Sequence, residues 1–132
     1  MTQEQKDLLL KDLCNRLPYG VKVHTSLKPI CTIFDKPTIH STVVIDGAGQ
    51  KSCNISDIKP YLFLLSSMTE EQKKEYRKAC ELDTEILSKH PMDETPFPAL
   101  YNSQDWLDKN HFDYRGLIPM GLAIDASGLN IY

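Results

Sequence analysis

The sequence predicts an α+β fold, an antiparallel sheet of three to five strands packed against an N-terminal helix, a long central helix and short C-terminal helices. Three observations carry that expectation. Apolar residues recur at helical spacing near the start and middle of the chain, β-branched residues crowd into short runs between them, and Pro and Gly residues punctuate the runs. A chain of 132 residues, 41% hydrophobic and 25% charged, fits one globular unit, so a single domain over 1–132 is expected, with no need of disulfides or metal.

The first helix is announced by Thr2 with Gln5 three residues on, a capping box, and by Leu9, Leu13 and Leu17 with Leu10 alongside. Pro18-Tyr19-Gly20 ends it, because proline restricts the residue before it and glycine accepts a left-handed turn. Val21-Lys22-Val23-His24-Thr25 then alternates apolar and polar, as a half-buried strand does. Runs at 30–34, 38–45 and 51–55 are rich in β-branched residues and are broken by Lys36-Pro37 and Asp46-Gly47-Ala48-Gly49. Asp-Gly tolerates the positive φ of a tight hairpin, so these runs and the strand at Val21 form an antiparallel meander of three or four strands. Tyr61-Leu62-Phe63-Leu64-Leu65 reads either as a short buried strand or as an apolar connection beneath the next helix; periodicity leaves both open.

Thr69 with Gln72 is a second capping box, and Glu70 and Glu71 suit the positive end of a helix dipole. The helix that follows is expected to run about 20 residues and close near Lys89-His90, before Pro91. Its apolar stripe, Tyr76, Ala79, Cys80, Leu82, Ile86 and Leu87, suits packing on the sheet. Residues 91–102, with Pro91, Pro96 and Pro98, read as an extended surface connection. Ser103 then caps a short helix carrying Trp106 and Leu107, and Asp113 caps another through Tyr114, Leu117, Ile118 and Met120 to Gly121. Leu122-Ala123-Ile124-Asp125 reads as a short strand, Ser127-Gly128 as a turn and 129–132 as a last strand.

Composition removes several function classes. With fifteen Lys and Arg against eighteen Asp and Glu, a formal charge of −3 gives phosphate binding little to work with, so nucleic acid is not an expected partner. Lys73, Lys74, Arg77 and Lys78 are interleaved with Glu70, Glu71 and Glu75 at helical spacing, which describes a solvated helix face. No apolar run approaches the roughly 20 residues of a membrane span, and the polar start lacks the order of a secretory signal. A cytoplasmic protein with no membrane partner is the expectation.

Cofactors and metals are not expected either. Cys14, Cys31, Cys53 and Cys80 are scattered rather than paired, which suits buried free thiols and not a zinc site or disulfide framework. His24, His40, His90 and His111 show no i, i+4 pair. Gly47-Ala48-Gly49 lacks a third glycine and a following Lys-Ser or Lys-Thr, and it precedes a strand, so it is a hairpin turn rather than a phosphate loop. Cys80, His111 and Asp113 have the types of a nucleophile, base and orienting acid, but types without geometry carry no argument. No catalytic residue is assigned, and a non-enzyme is expected.

The densest stretch is Asp105-Trp106-Leu107-Asp108-Lys109-Asn110-His111-Phe112-Asp113-Tyr114-Arg115-Gly116. Trp, Tyr and Arg dominate binding hot spots because they offer rigid area, stacking and forked hydrogen bonds, so Trp106, His111, Tyr114 and Arg115 are the candidate residues for a ligand or partner. The structural reading of the same stretch has Trp106, Leu107 and Phe112 anchoring helices to the sheet, Asp113 capping and Arg115 pairing with an acid.

Leu13 to Val23 (Leu-Cys-Asn-Arg-Leu-Pro-Tyr-Gly-Val-Lys-Val), Ile58 to Met68 with Thr69-Glu70-Glu71, and Trp106-Leu107 through His111-Phe112-Asp113-Tyr114-Arg115-Gly116-Leu117-Ile118 to Gly121-Leu122-Ala123 together resemble a family of small uncharacterised proteins encoded by phages, prophages and mobile elements of gut bacteria. The resemblance carries no catalytic residue with it, and Pro119 departs from the helix-friendly residue expected there. It implies a phage-type accessory binding protein in a bacterial cytoplasm, with an anti-defence role in which it sequesters a host nucleotide signal or blocks a host protein. The partner would then be a host protein or a small nucleotide-like ligand. A nucleotide sponge would need Arg115, lysines and aromatics such as Tyr114 to converge, across a homo-oligomer interface. The alternative is a small hydrolase with an unrecognised site, whose turnover would depend on His111 or Cys80.

Overall fold

The computed structural model describes residues 2–26, 28–33, 36–38, 42–45, 49–89 and 102–132. Helix α1, Gln3–Arg16, begins where its capping box places it: Thr2 Oγ1 accepts the Gln5 N–H at 3.1 Å while Gln5 Oε1 accepts the Thr2 N–H at 2.9 Å. Two of the orphan donors of the first turn are thereby satisfied. A single 3-10 turn, Leu17–Tyr19, follows, and Gly20 closes it at φ 69°, a left-handed conformation in which any side chain is strained.

Strands β1 (Lys22–His24), β2 (Cys31–Ile33), β3 (Thr42–Ile45), β4 (Gln50–Cys53) and β5 (Lys59–Leu64) make an antiparallel sheet in the order β4-β3-β2-β1-β5. Its register pairs Val23 with both Cys31 and Pro60, and Val44 with both Ile33 and Lys51. The α+β class and the antiparallel meander are therefore as expected. β3 and β4 pair antiparallel; the tight turn expected at 46–48, together with His40, His90 and most of the 91–102 connection, lies outside the described residues. The ambiguity at Tyr61 resolves as strand, because β5 serves as the hub of the sheet.

Two short strands extend the sheet beyond the antiparallel expectation. β6 (Phe112–Asp113) and β7 (Ile124–Asp125) both pair with β5 in parallel, Phe63 with Phe112 and Tyr61 with Ile124. Parallel pairing requires a long crossover, and α2 (Glu70–Lys89) with α3 (Asn102–Lys109) lies in the crossover between β5 and β6. The second C-terminal helix expected after Asp113 does not form; 114–121 is a run of turns and bends. Pro119 cannot donate to a helical ladder, and Gly116 and Gly121 sit at φ 75° and 76°, outside helical space. Asp113 does cap, but it caps those turns, accepting Leu117 N–H and Ile118 N–H at 2.9 Å each. Residues 129–132 are likewise irregular and form no strand.

The core is built from Leu9 and Leu13 of α1, Val21, Val23, Ile33 and Val44 of the sheet region, and Ile55, Ile58, Leu62, Leu117 and Leu122. Each large aliphatic side chain taken fully from water contributes about 1.5–3 kcal/mol. Helix α2 finds its main partner in α3 rather than in the sheet. Of its expected stripe, Ala79 is buried and Leu82 is 50% exposed. Asp83 fastens the two helices by accepting the Ser103 N–H at 2.9 Å, the Asn102 N–H and the Ser103 hydroxyl, and so caps α3 from the neighbouring helix.

Candidate functional site

Asp12 and Arg16 stand one helical turn apart on the same face of α1 as Leu9 and Leu13, so the helix carries an ion pair into the core. Both side chains are fully buried, and Arg16 Nε donates to Asp12 Oδ2 at 2.8 Å. Arg115 brings a second guanidinium, its Nη1 donating to Asp12 Oδ1 at 2.6 Å. Arg16 Nη2 donates to the Phe112 carbonyl at 2.5 Å, tying α1 to β6. Asp108 closes the group: it lies 4.0 Å from Arg16 Nε and accepts the Tyr114 hydroxyl at 2.7 Å.

The Tyr114 ring is the platform of this cluster, with Arg115 at 4.5 Å from its centroid and Arg16 at 5.3 Å. Burial raises the Asp108 carboxyl above its ordinary range, against the opposing pull of the Tyr114 hydroxyl and both arginines. Burial and the bond to Asp108 raise the Tyr114 phenol as well. Two acids and two bases thus compensate one another. Arg115 Nη1 and the Tyr114 hydroxyl are engaged by acids within the protein, Asp12 and Asp108.

The remaining candidates fall elsewhere. His111 sits at φ 63°, in left-handed space uncommon for a residue with a side chain. Its carbonyl accepts the Phe63 N–H at 2.8 Å and its imidazole stacks on Tyr132, centroids 3.7 Å apart and planes 12° apart. Burial, reinforced by the charges of Arg16 and Lys22, lowers it to about 4, so it is a neutral ring at pH 7. Its Nδ1 and Arg16 Nη1 are the buried side-chain atoms without a hydrogen-bond partner among the described residues. Tyr132 in turn sends its hydroxyl into the sheet, accepting the Lys22 N–H at 2.8 Å and donating to the Tyr61 carbonyl at 2.8 Å. Burial pushes that phenol up to about 12.

Trp106 lies between Tyr76 of α2, at 5.7 Å, and Phe112 of β6, at 5.6 Å and nearly parallel, while its Nε1 donates to Glu75 Oε2 at 3.3 Å. Phe112 continues the row to Phe63 at 6.0 Å, and Phe63 to Tyr132 at 5.9 Å. Trp106 and His111 therefore belong to one aromatic row that runs from Tyr76 to His111 across β5 and β6. Tyr114 and Arg115 belong to the ionic cluster. The sequence-derived set of four divides into two groups.

An open cleft of about 320 Å³ lies over the middle of the aromatic row, lined by Phe63, Ser67, Gln72, Phe112 and Ser127. Strand β5 supplies Phe63, the turn after it Ser67, the first turn of α2 Gln72, β6 Phe112 and the turn after β7 Ser127. The parallel pairing of β6 and β7 with β5 is what gathers these segments. Among the described residues no cluster of three or more His, Cys, Asp or Glu is arranged to hold a metal ion, and no helix is long and apolar enough to cross a membrane. Cys14, Cys31, Cys53 and Cys80 are free thiols.

Sequence reasoning passed over Asp12, Arg16 and Asp108, although Asp12 and Arg16 follow Leu9 and Leu13 at i+3, a spacing that already places them on the buried face. The cleft residues left no such signal, since they come from separate segments that meet only through strand pairing. No family model matches the chain, and no curated protein or solved structure matches it.

Proposed function

We propose that this chain is a non-enzymatic accessory binding protein of the phage type, with an anti-defence role, and that the cleft beside β5 is where it holds a small nucleoside-like ligand. The supporting observation is the cleft itself: about 320 Å³ with an aromatic floor of Phe63 and Phe112 and a polar rim of Ser67, Gln72 and Ser127. Small-molecule sites combine apolar and aromatic walls with a few polar groups that fix orientation, and this volume lies at the lower end of their range of roughly 300–1,000 Å³. A host protein as partner has weaker support, because the large hydrophobic side chains exposed among the described residues, Ile30, Leu65, Leu82, Met120, Leu129 and Tyr132, come from several separate segments.

The reading also favours holding over turnover. Of the groups with the types of a nucleophilic site, Cys80 lies beside Tyr76 on α2, His111 stacks on Tyr132, and Asp113 serves the Leu117 and Ile118 amides. Native mass spectrometry of the protein purified from its host cells tests the proposal. A small molecule retained at fixed stoichiometry, unchanged after incubation and lost on Phe63→Ala, is the expected result. A clean species with nothing bound, or a retained molecule that is steadily converted to product, overturns it.

A further inference from the structure

We propose that the cleft seats the edge of a neutral planar heterocycle, of the nucleobase or nucleoside class, and discriminates against the same heterocycle once phosphorylated; this rests on the cleft being the binding site. Two of the polar side chains of the rim are already partly engaged. Ser67 Oγ donates its proton to the Leu64 carbonyl at 2.6 Å, so toward the cleft it offers lone pairs and acts as an acceptor. Gln72 Oε1 accepts the Thr69 N–H at 2.9 Å in the capping box of α2, which leaves the side-chain NH2 as a donor. Ser127 adds a hydroxyl that serves either way.

The rim therefore offers an acceptor, a donor and an adaptable group above a floor of two phenyl rings. The complementary ligand is flat and carries a donor beside an acceptor on one edge. Lactam and amidine edges of nucleobases have that pattern, whereas a sugar lacks the flat face and a hydrocarbon leaves the rim unpaired.

Charge supplies the second half of the inference. The described lining residues are all uncharged. One bond further out, the Arg16 guanidinium on the Phe112 carbonyl is offset by Asp12, and the other charges are carboxylates: Asp125 Oδ1 accepts the Ser127 N–H at 3.0 Å, and Glu75 holds the Nε1 of Trp106, the ring stacked on Phe112. Glu70 and Glu71 occupy the first turn of α2, the same turn as Gln72, and the neighbouring Lys73 is turned to Glu70 at 3.4 Å. Arg115, the cation the sequence offered for a phosphate, is committed to Asp12. A phosphate carried into this cleft meets no cation among the described lining residues and a surplus of carboxylates around them, and juxtaposed like charges suppress the wrong partner.

The test uses the whole chain, isotope-labelled, titrated with adenosine, guanosine, cytidine and uridine and with their 5′-monophosphates while amide resonances are followed. At least one nucleoside should move the Ser67, Gln72 and Ser127 amides and bind about tenfold tighter than its monophosphate, the ratio shrinking as salt is raised. Gln72→Glu keeps the capping acceptor for Thr69 but removes the donor and adds charge; with an unchanged melting temperature it should weaken the nucleoside about tenfold. A monophosphate that binds as tightly as its nucleoside, or a Gln72→Glu protein of unaltered affinity, overturns the proposal. If no nucleoside moves these amides, the heterocycle class is wrong. The cleft reading then stands only if the molecule retained from host cells moves them, and falls if that molecule moves resonances elsewhere.

Discussion

Replacing Asp12 with Asn should unfold this protein more readily than any surface change of equal size. The substitution is nearly isosteric, yet it removes the one carboxylate on which two guanidinium groups converge, Arg16 at 2.8 Å and Arg115 at 2.6 Å, with the Asp12 and Arg16 side chains fully buried. Removing one partner of a buried pair costs about 3–5 kcal/mol, because the other charge is left in a poorly solvating interior. Against a total stability of roughly 5–15 kcal/mol, that is about a fifth or more of what holds a domain of this size together. The melting temperature should fall by about 10–20 °C. Urea unfolding followed by the fluorescence of Trp106, the single tryptophan, measures it directly. Glu81→Gln on the exposed face of α2 is the control and should stay within about 0.5 kcal/mol. A double-mutant cycle with Arg115→Gln should show coupling of about 0.5–3 kcal/mol. A loss below about 1 kcal/mol for Asp12→Asn, or additivity in the cycle, would refute the claim that this cluster acts as one unit.

Three further outcomes follow from the same reasoning. The unfolded His111 imidazole takes its proton as pH falls through 6.5, whereas the folded one waits until about 4, so stability should rise with pH across that window. Discounted for partial exposure, the effect is of order 1–2 kcal/mol, and it should vanish from the pH profile of His111→Gln. Tyr132→Phe strands the Lys22 N–H and the Tyr61 carbonyl and should cost about 1–3 kcal/mol in urea unfolding. The phenol is raised in the folded state, so wild-type stability is full below pH 10 and declines toward about 12 as the unfolded phenol ionises; the Phe variant should lose that share of the decline. Asp83→Ala should cost about 1–2 kcal/mol by uncapping α3, and hydrogen exchange should quicken at the Asn102 and Ser103 amides. Burial works against the Asp83 carboxylate, but its bonds to Ser103 and Asn102 prevail and hold it below its ordinary range, so this contribution disappears only as pH falls below 3.8.

What the sequence by itself determined was local. Both capping boxes, Thr2 with Gln5 and Thr69 with Gln72, were legible because their bonds span three residues, and each marks a helix start. The β-branched runs marked the strands of the meander, since alternation acts over a few residues. Asp113 was legible as a cap, though not what it caps, because Pro119 and the two flanking glycines decide against a helix only when the following backbone is in place.

Tertiary structure decided everything at longer range. The parallel addition of β6 and β7 to β5 depends on a crossover through two helices, and no local pattern encodes which strand edge receives them. That pairing sets Phe63 against Phe112 and brings Ser127 beside Gln72, and so makes the cleft. It also swings Arg115 onto Asp12, 103 residues away, turning an evident hot-spot residue into half of a buried pair. Trp106, His111, Tyr114 and Arg115 were picked out for what their side chains can do; what they are free to do was settled by which partners the fold brought within reach.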